Sequence, residues 1–115
     1  MEEFKTDWTR EEFKAYLLMH AAEADYVRTE EERAVIRTLV TNESYSKIHK
    51  ELKGDNDYQR IQKILFNLEK FHYSKGDLKV LVKDIQRLFY ADGDNMDLLE
   101  ENMLFSLKQL FKAID

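Results

Sequence analysis

Cysteine and proline are absent from these 115 residues, and glycine occurs only as Gly54, Gly76 and Gly93. Without cysteine there is no disulfide, no thiolate nucleophile and no zinc–thiolate site. Without proline, and with so few glycines, little in the chain interrupts a helix. No apolar run approaches the roughly 18 residues that a bilayer span requires, which predicts a chain that does not insert into membranes. The opening Met1-Glu2-Glu3-Phe4-Lys5 lacks the basic and apolar regions of a secretory signal, and this predicts a cytoplasmic protein.

What is present suits one globular domain spanning residues 1–115. Apolar residues make up 43% of the chain, enough to exclude a disordered composition. The net charge of −5 disfavours nucleic acid and anionic lipid as partners.

Helix signals follow one another along the chain. Thr9 and Glu12 form a capping box, with Trp8 placed to staple onto Phe13. Phe13, Leu17, Ala21 and Ala24 then make one apolar stripe, and the helix is expected to end near Glu23. Thr29 and Glu32 repeat the box before a helix with Val35, Ile36, Leu39 and Val40 inward. The run from Asn42 to Ser46 offers caps for a short third helix bearing Tyr45, Ile48 and Leu52, and residues 53–57 read as a turn. A fourth helix carries Tyr58, Ile61, Ile64, Leu65, Leu68 and Phe71. Ser74 to Asp77 caps a fifth, with Leu78, Leu81, Val82, Ile85, Leu88 and Phe89 inward. Asp94 or Asn95 starts a sixth, with Leu99, Met103, Leu107, Leu110, Phe111 and Ile114 inward. No segment alternates with period two, so the fold class is all-α, a compact bundle of about six helices.

Two of the connections are alike. The first helix runs into Ala24-Asp25-Tyr26, and the fifth into Ala91-Asp92-Gly93, 67 residues later. Each is followed by a cap and an acid-rich helical turn, as a duplicated helix–turn–helix unit would give. From Glu23 to Glu32 there are five acids and one base, and from Asp92 to Glu101 five acids and no base. These windows together carry −9, so the remainder of the chain carries +4. The acidity is local.

The segments "AEADYVRTEEE" and "YADGDNMDLLEE", each between two helices, resemble the turns of tellurite-resistance TerB-like domains. The resemblance implies an all-helical fold of two related halves, a role in tellurite or other stress responses, and metal binding or sensing. It also implies protein partners, a membrane protein among them. Asp25 and Asp92 match the motif directly. Tyr26 stands where a glycine is common, and Glu100 and Glu101 fall one or two positions later than Glu32 does in the first turn.

Carboxylates of Asp25, Glu32, Asp92 and Glu100 would suit Ca²⁺ or Mg²⁺, which favour oxygen ligands. An EF-hand is excluded. Counting from Asp92, position 6 is Asp97 rather than glycine and position 12 is Met103 rather than glutamate. The structural alternative is equally concrete: acids in first helical turns complement the macrodipole, and Asp94 and Asn95 are ordinary caps.

Other motifs carry less. Glu69 and His72 make one Glu-x-x-His pair, but a di-iron bundle needs two, and Leu17 and Ser46 precede His20 and His49 instead. A DNA-reading helix beginning Asp55-Asn56-Asp57 would set acids against phosphates. No nucleophile elbow, phosphate-binding loop or His-Glu-x-x-His motif occurs. Phe66 and Phe105 lie off the apolar stripes and are candidates for a partner surface. The sequence thus leads to a non-enzymatic interaction or sensor module with an acidic surface at two Ala-Asp turns. The alternatives are a Ca²⁺ or Mg²⁺ binder there and, last, a metal-dependent hydrolase.

Overall fold

The second half of the first helix is buried on every side, and the rest of the molecule is built around it. The computed structural model describes residues 4–23, 30–90 and 98–114, apart from the side chains at 31, 32, 113 and 114. Among them are six helices and no strand: α1 Arg10–Ala22, α2 Glu30–Arg37, α3 Asn42–Gly54, α4 Asp57–Lys70, α5 Lys75–Phe89 and α6 Leu98–Ile114. The radius of gyration is 13.3 Å, close to the roughly 13 Å of one compact domain of this length.

Capping residues set the boundaries. Thr9 and Glu12 form the expected box on α1, and Ser74 and Asp77 form that of α5. A further box, Asn56 with Gln59, opens α4, so the expected turn shrinks to Asp55 and Asn56. The third helix is not short: Thr41, one residue before the expected caps, starts a helix of 13 residues. Thr29, expected to cap α2, lies outside the described residues.

From Ala15 to Ala22 every side chain of α1 is buried. Eight residues exceed two turns, so the whole circumference is covered. The expected single stripe was too narrow, because Ala15, Leu18, Met19 and Ala22 make the other faces apolar as well. Trp8 and Phe13 belong to the same buried core. The Trp8 ring lies 4.5 Å from that of Tyr16, and Phe13 meets Phe71 and Tyr73.

Ion pairs reveal the sense of each helix. Arg10 pairs with Asp77 at 3.4 Å and Lys14 pairs with Asp84, so α1 and α5 run side by side in the same direction. Lys47 pairs with Asp7 and Lys53 with Glu23, which aligns α3 with them. Arg60 meets Glu23 near the end of α1, whereas Asn67 meets Thr6 before its start, so α4 runs the opposite way. Ala34 shares a cleft with Leu18, and Leu39 shares another with Arg10, so α2 descends along α1. Lys108 to Lys112 of α6 lie beside the first three turns of α5. The six helices therefore alternate up and down. One end, here called the crown, gathers the ends of α1, α3 and α5 and the starts of α2, α4 and α6.

The remaining core agrees with the stripes except at their margins. Ile36, Ile48, Leu52, Ile64, Leu68, Leu81, Ile85 and Leu88 are buried. Tyr58 is exposed, its ring meeting Phe4 edge-on, because it sits in the first turn of α4 beyond the reach of the core. In α6, Leu99 is exposed and Leu104 is buried in its place. The inward face of α6 is Leu104, Leu107 and Phe111.

Truncating the central helix tests this arrangement. Phe13→Ala removes a ring with no solvent exposure, and is expected to cost about 3–5 kcal/mol in urea-induced unfolding.

Candidate functional site

Two sets of residues are considered at the crown: the four acids singled out by sequence, and a polar cluster that sequence did not reveal. Of the four, Asp25 and Asp92 lie outside the described residues. Glu32 lies in the first turn of α2, and its side chain is likewise outside them. Glu100 is in the first turn of α6 and is buried. Among the described residues, no group of three or more His, Asp or Glu side chains is placed to hold a metal ion. What the fold does establish is a common location for the helix ends flanking both Ala-Asp segments. Glu23 and Tyr90, the C-caps of α1 and α5, are 67 residues apart, as are Arg10 and Asp77, which pair near the other end.

Among the described residues, two acids of these windows are already paired. Glu23 accepts a 2.6 Å hydrogen bond from Arg60 and pairs with Lys53 at 3.5 Å. Glu30 pairs with Arg33. A count along the chain misses bases delivered from α3 and α4.

The polar cluster joins three helices. Tyr16 Oη donates to Asp55 Oδ2 at 2.7 Å, and Lys63 Nζ donates to both Asp55 oxygens at 3.0 and 2.8 Å. Arg60 donates through Nη2 to the Leu52 carbonyl at 2.9 Å, an oxygen at the end of α3 that also accepts from the Asp55 backbone N–H. Side chains of Asp55, Arg60 and Lys63 are each only 10–13% exposed. Burial raises the Tyr16 hydroxyl pKa, and the bond to Asp55 adds to this, so Tyr16 stays a donor. Burial also raises the Glu51 pKa; its Oε2 is 3.8 Å from Lys63 Nζ, beyond hydrogen-bond reach. The arrangement holds α1, α3 and α4 together, with Lys63 neutralised by two carboxylates.

His20 closes this corner from α1. It is buried with no hydrogen-bond partner for Nδ1 among the described residues. Burial, reinforced by the charge of Arg60 and opposed by Asp57 and Glu23, lowers its pKa to about 4. His72, the other half of the rejected di-iron pair, is exposed and has a φ of +53° at the end of α4.

A second surface lies along α5 and α6. A groove of about 670 Å³ runs between them, rimmed by Lys75, Lys79 and Lys83 on one side and by Lys108 and Lys112 on the other. Its floor is Leu78, Val82 and Phe111, extended by the methylene stems of the lysines. Helix α5 sorts its charges: Asp77 and Asp84 face α1, and the lysines face the groove. Phe66 is half-buried and lines a shallow cleft with Lys5 and Lys70, whereas Phe105 is 63% exposed on α6.

Comparison of the chain with protein-family models, curated proteins and solved structures finds no match. The likeness to TerB-like domains therefore rests on the two turn motifs. Sequence reasoning missed the Tyr16–Asp55–Lys63 cluster and the lysine groove. The groove had a readable signal, since Lys75, Lys79 and Lys83 recur every four residues. The cluster had none, its members being 39 and 8 residues apart.

The buried imidazole predicts a pH dependence. Unfolded, His20 binds a proton near pH 6.5; folded, only near pH 4. Between these values the unfolded state holds more protons, so the stability present above pH 6.5 is lost as pH falls. Wild type is expected to lose about 2 kcal/mol between pH 7 and pH 5 relative to His20→Gln, at 1.36 kcal/mol per pKa unit. Urea denaturation of both proteins at the two pH values measures the difference.

Proposed function

We propose that this chain is a non-enzymatic interaction or sensor module of TerB-like type, working from its crown. The observation that carries this reading is the parallel pairing of α1 with α5. Helices that flank both acid-rich Ala-Asp segments end or begin at one end of the bundle, so a single partner can address both. Asp25 and Asp92 are the residues assigned to recognition, since they precede the caps and are not needed as N-terminal charges of α2 and α6. A cytoplasmic setting and a protein partner, which a membrane protein could be, belong to the same reading.

A second reading is a divalent-cation site at the crown. Burial of Glu100 favours it, because it withdraws a carboxylate from water at the end where the Ala-Asp segments meet the helices. Hydrolysis assisted by such a metal is a further step that no observation among the described residues favours.

Two measurements separate these readings. A photo-crosslinker at position 26 or 93 is expected to capture a partner carrying basic residues, and Asp25→Asn with Asp92→Asn to reduce the yield severalfold. Capture no greater than from a crosslinker at exposed Lys50 would overturn the interaction reading. Under the cation reading, millimolar Ca²⁺, Mg²⁺ or Mn²⁺ raises the melting temperature. At a hundredfold excess over Kd the gain is about 2.7 kcal/mol, and the same two substitutions abolish it. An unchanged melting temperature removes that reading.

A further inference from the structure

The outward face of α6 is unusual for a surface helix. Leu98, Glu101, Phe105, Lys108 and Lys112 recur at spacings of three and four and are all exposed. They form one stripe on the flank of α6, about a quarter-turn round the helix from the buried Leu104, Leu107 and Phe111 and next to the α5 groove. Two of them are large and apolar, Leu98 at 71% and Phe105 at 63% exposure. Charge along the stripe changes sign about its centre. Glu101 lies four residues before Phe105, and Lys108 and Lys112 lie three and seven after it. Among the described residues no carboxylate pairs with Lys108 or Lys112, and none lines the groove that these lysines help to rim.

A stripe with an apolar centre and opposite charges at its two ends is complementary to itself when reversed. We propose that α6 is a self-association surface, on which a second copy of this chain docks with its α6 antiparallel and a twofold axis passing beside Phe105. Phe105 then meets Phe105 of the other copy. Glu101 meets Lys108 of the other copy, and the same contact recurs across the axis. Leu98 lies over the stem of the other copy's Lys112, at the mouth of the lysine-rimmed groove. The pairing gives each Lys108, which has no acid partner among the described residues, a glutamate, and covers Leu98 and Phe105. It concerns the flank of the bundle, and it stands or falls independently of the role proposed for the crown. One helical face is smaller than a standard interface of about 800 Å² per partner, so the dimer is a weak one.

Sedimentation equilibrium of the full chain from about 20 µM to 1 mM in low salt tests this. Wild type is expected to pass from monomer to dimer over that range. Glu101→Lys and Lys108→Glu each turn two attractions into two repulsions, and each is expected to weaken the dimer about tenfold. A 1:1 mixture of these two variants restores both attractions in the heterodimer, so it should associate as wild type does, and the double variant should regain self-association. All substituted positions are exposed, and circular dichroism verifies that the fold is kept. Wild type that stays monomeric to 1 mM overturns the proposal and assigns the stripe to a different partner. A dimer that tolerates either reversal, or a mixture no stronger than its components, overturns it equally.

Discussion

Helix α1 has no side to turn toward water beyond its first turn, and the positions of the other five helices follow from that requirement. Eight successive buried residues need partners all around the axis. The helix must therefore be surrounded, and contacts with α2, α3, α4, α5 and α6 supply the cover. A chain without cysteine has no disulfide to hold such an arrangement, so apolar burial carries most of it. That explains why small side chains, Ala15, Ala21 and Ala22, are interspersed with Phe13, Tyr16, Leu17 and Met19. The small residues let neighbouring helices approach, and the large ones fill the gaps between them.

Apolar burial does not choose direction, and here polar contacts at the rim do so. Arg10 with Asp77 and Lys14 with Asp84 fix α5 parallel to α1. Reversing α5 would set Asp77 against the buried stretch of α1 and leave Arg10 without its acid. At the crown, Asp55 and Glu23 gather Tyr16, Lys63, Arg60 and Lys53 from three helices. Partly buried charges of this kind add little net stability over an apolar replacement, but removing one partner is costly. Their role is to make one arrangement of the helices preferable to its mirror alternatives.

Local features were legible in the sequence and distant ones were not. Thr9 with Glu12 and Ser74 with Asp77 were readable because a capping box lies within one helical turn. Asn56 with Gln59 obeys the same rule and was passed over, since the neighbouring Gly54 and Asp55 suggested a longer turn. Periodicity named most of the core, and it failed at Tyr58 and Leu99, both in first turns, where a stripe extends past the body that buries it. It also failed in α1, because periodicity reports a difference between faces and α1 has none. Charge counting along the chain located the acid-rich windows, yet Glu23 is neutralised by Arg60 from 37 residues away. The orientation of α5, which brings the flanks of both Ala-Asp segments to one end, depends on pairs such as Arg10 with Asp77 that no local pattern encodes.

The helix whose second half is fully buried is also early in the chain, and this has a consequence for biogenesis. During translation α1 leaves the ribosome before any of its five neighbours, and α5 and α6 emerge last. At about 5–20 residues per second, the stretch from Ala15 to Ala22 waits several seconds with one or more flanks uncovered. Until the final hairpin closes over the centre, this stretch is the part of the nascent chain with most apolar surface still to cover.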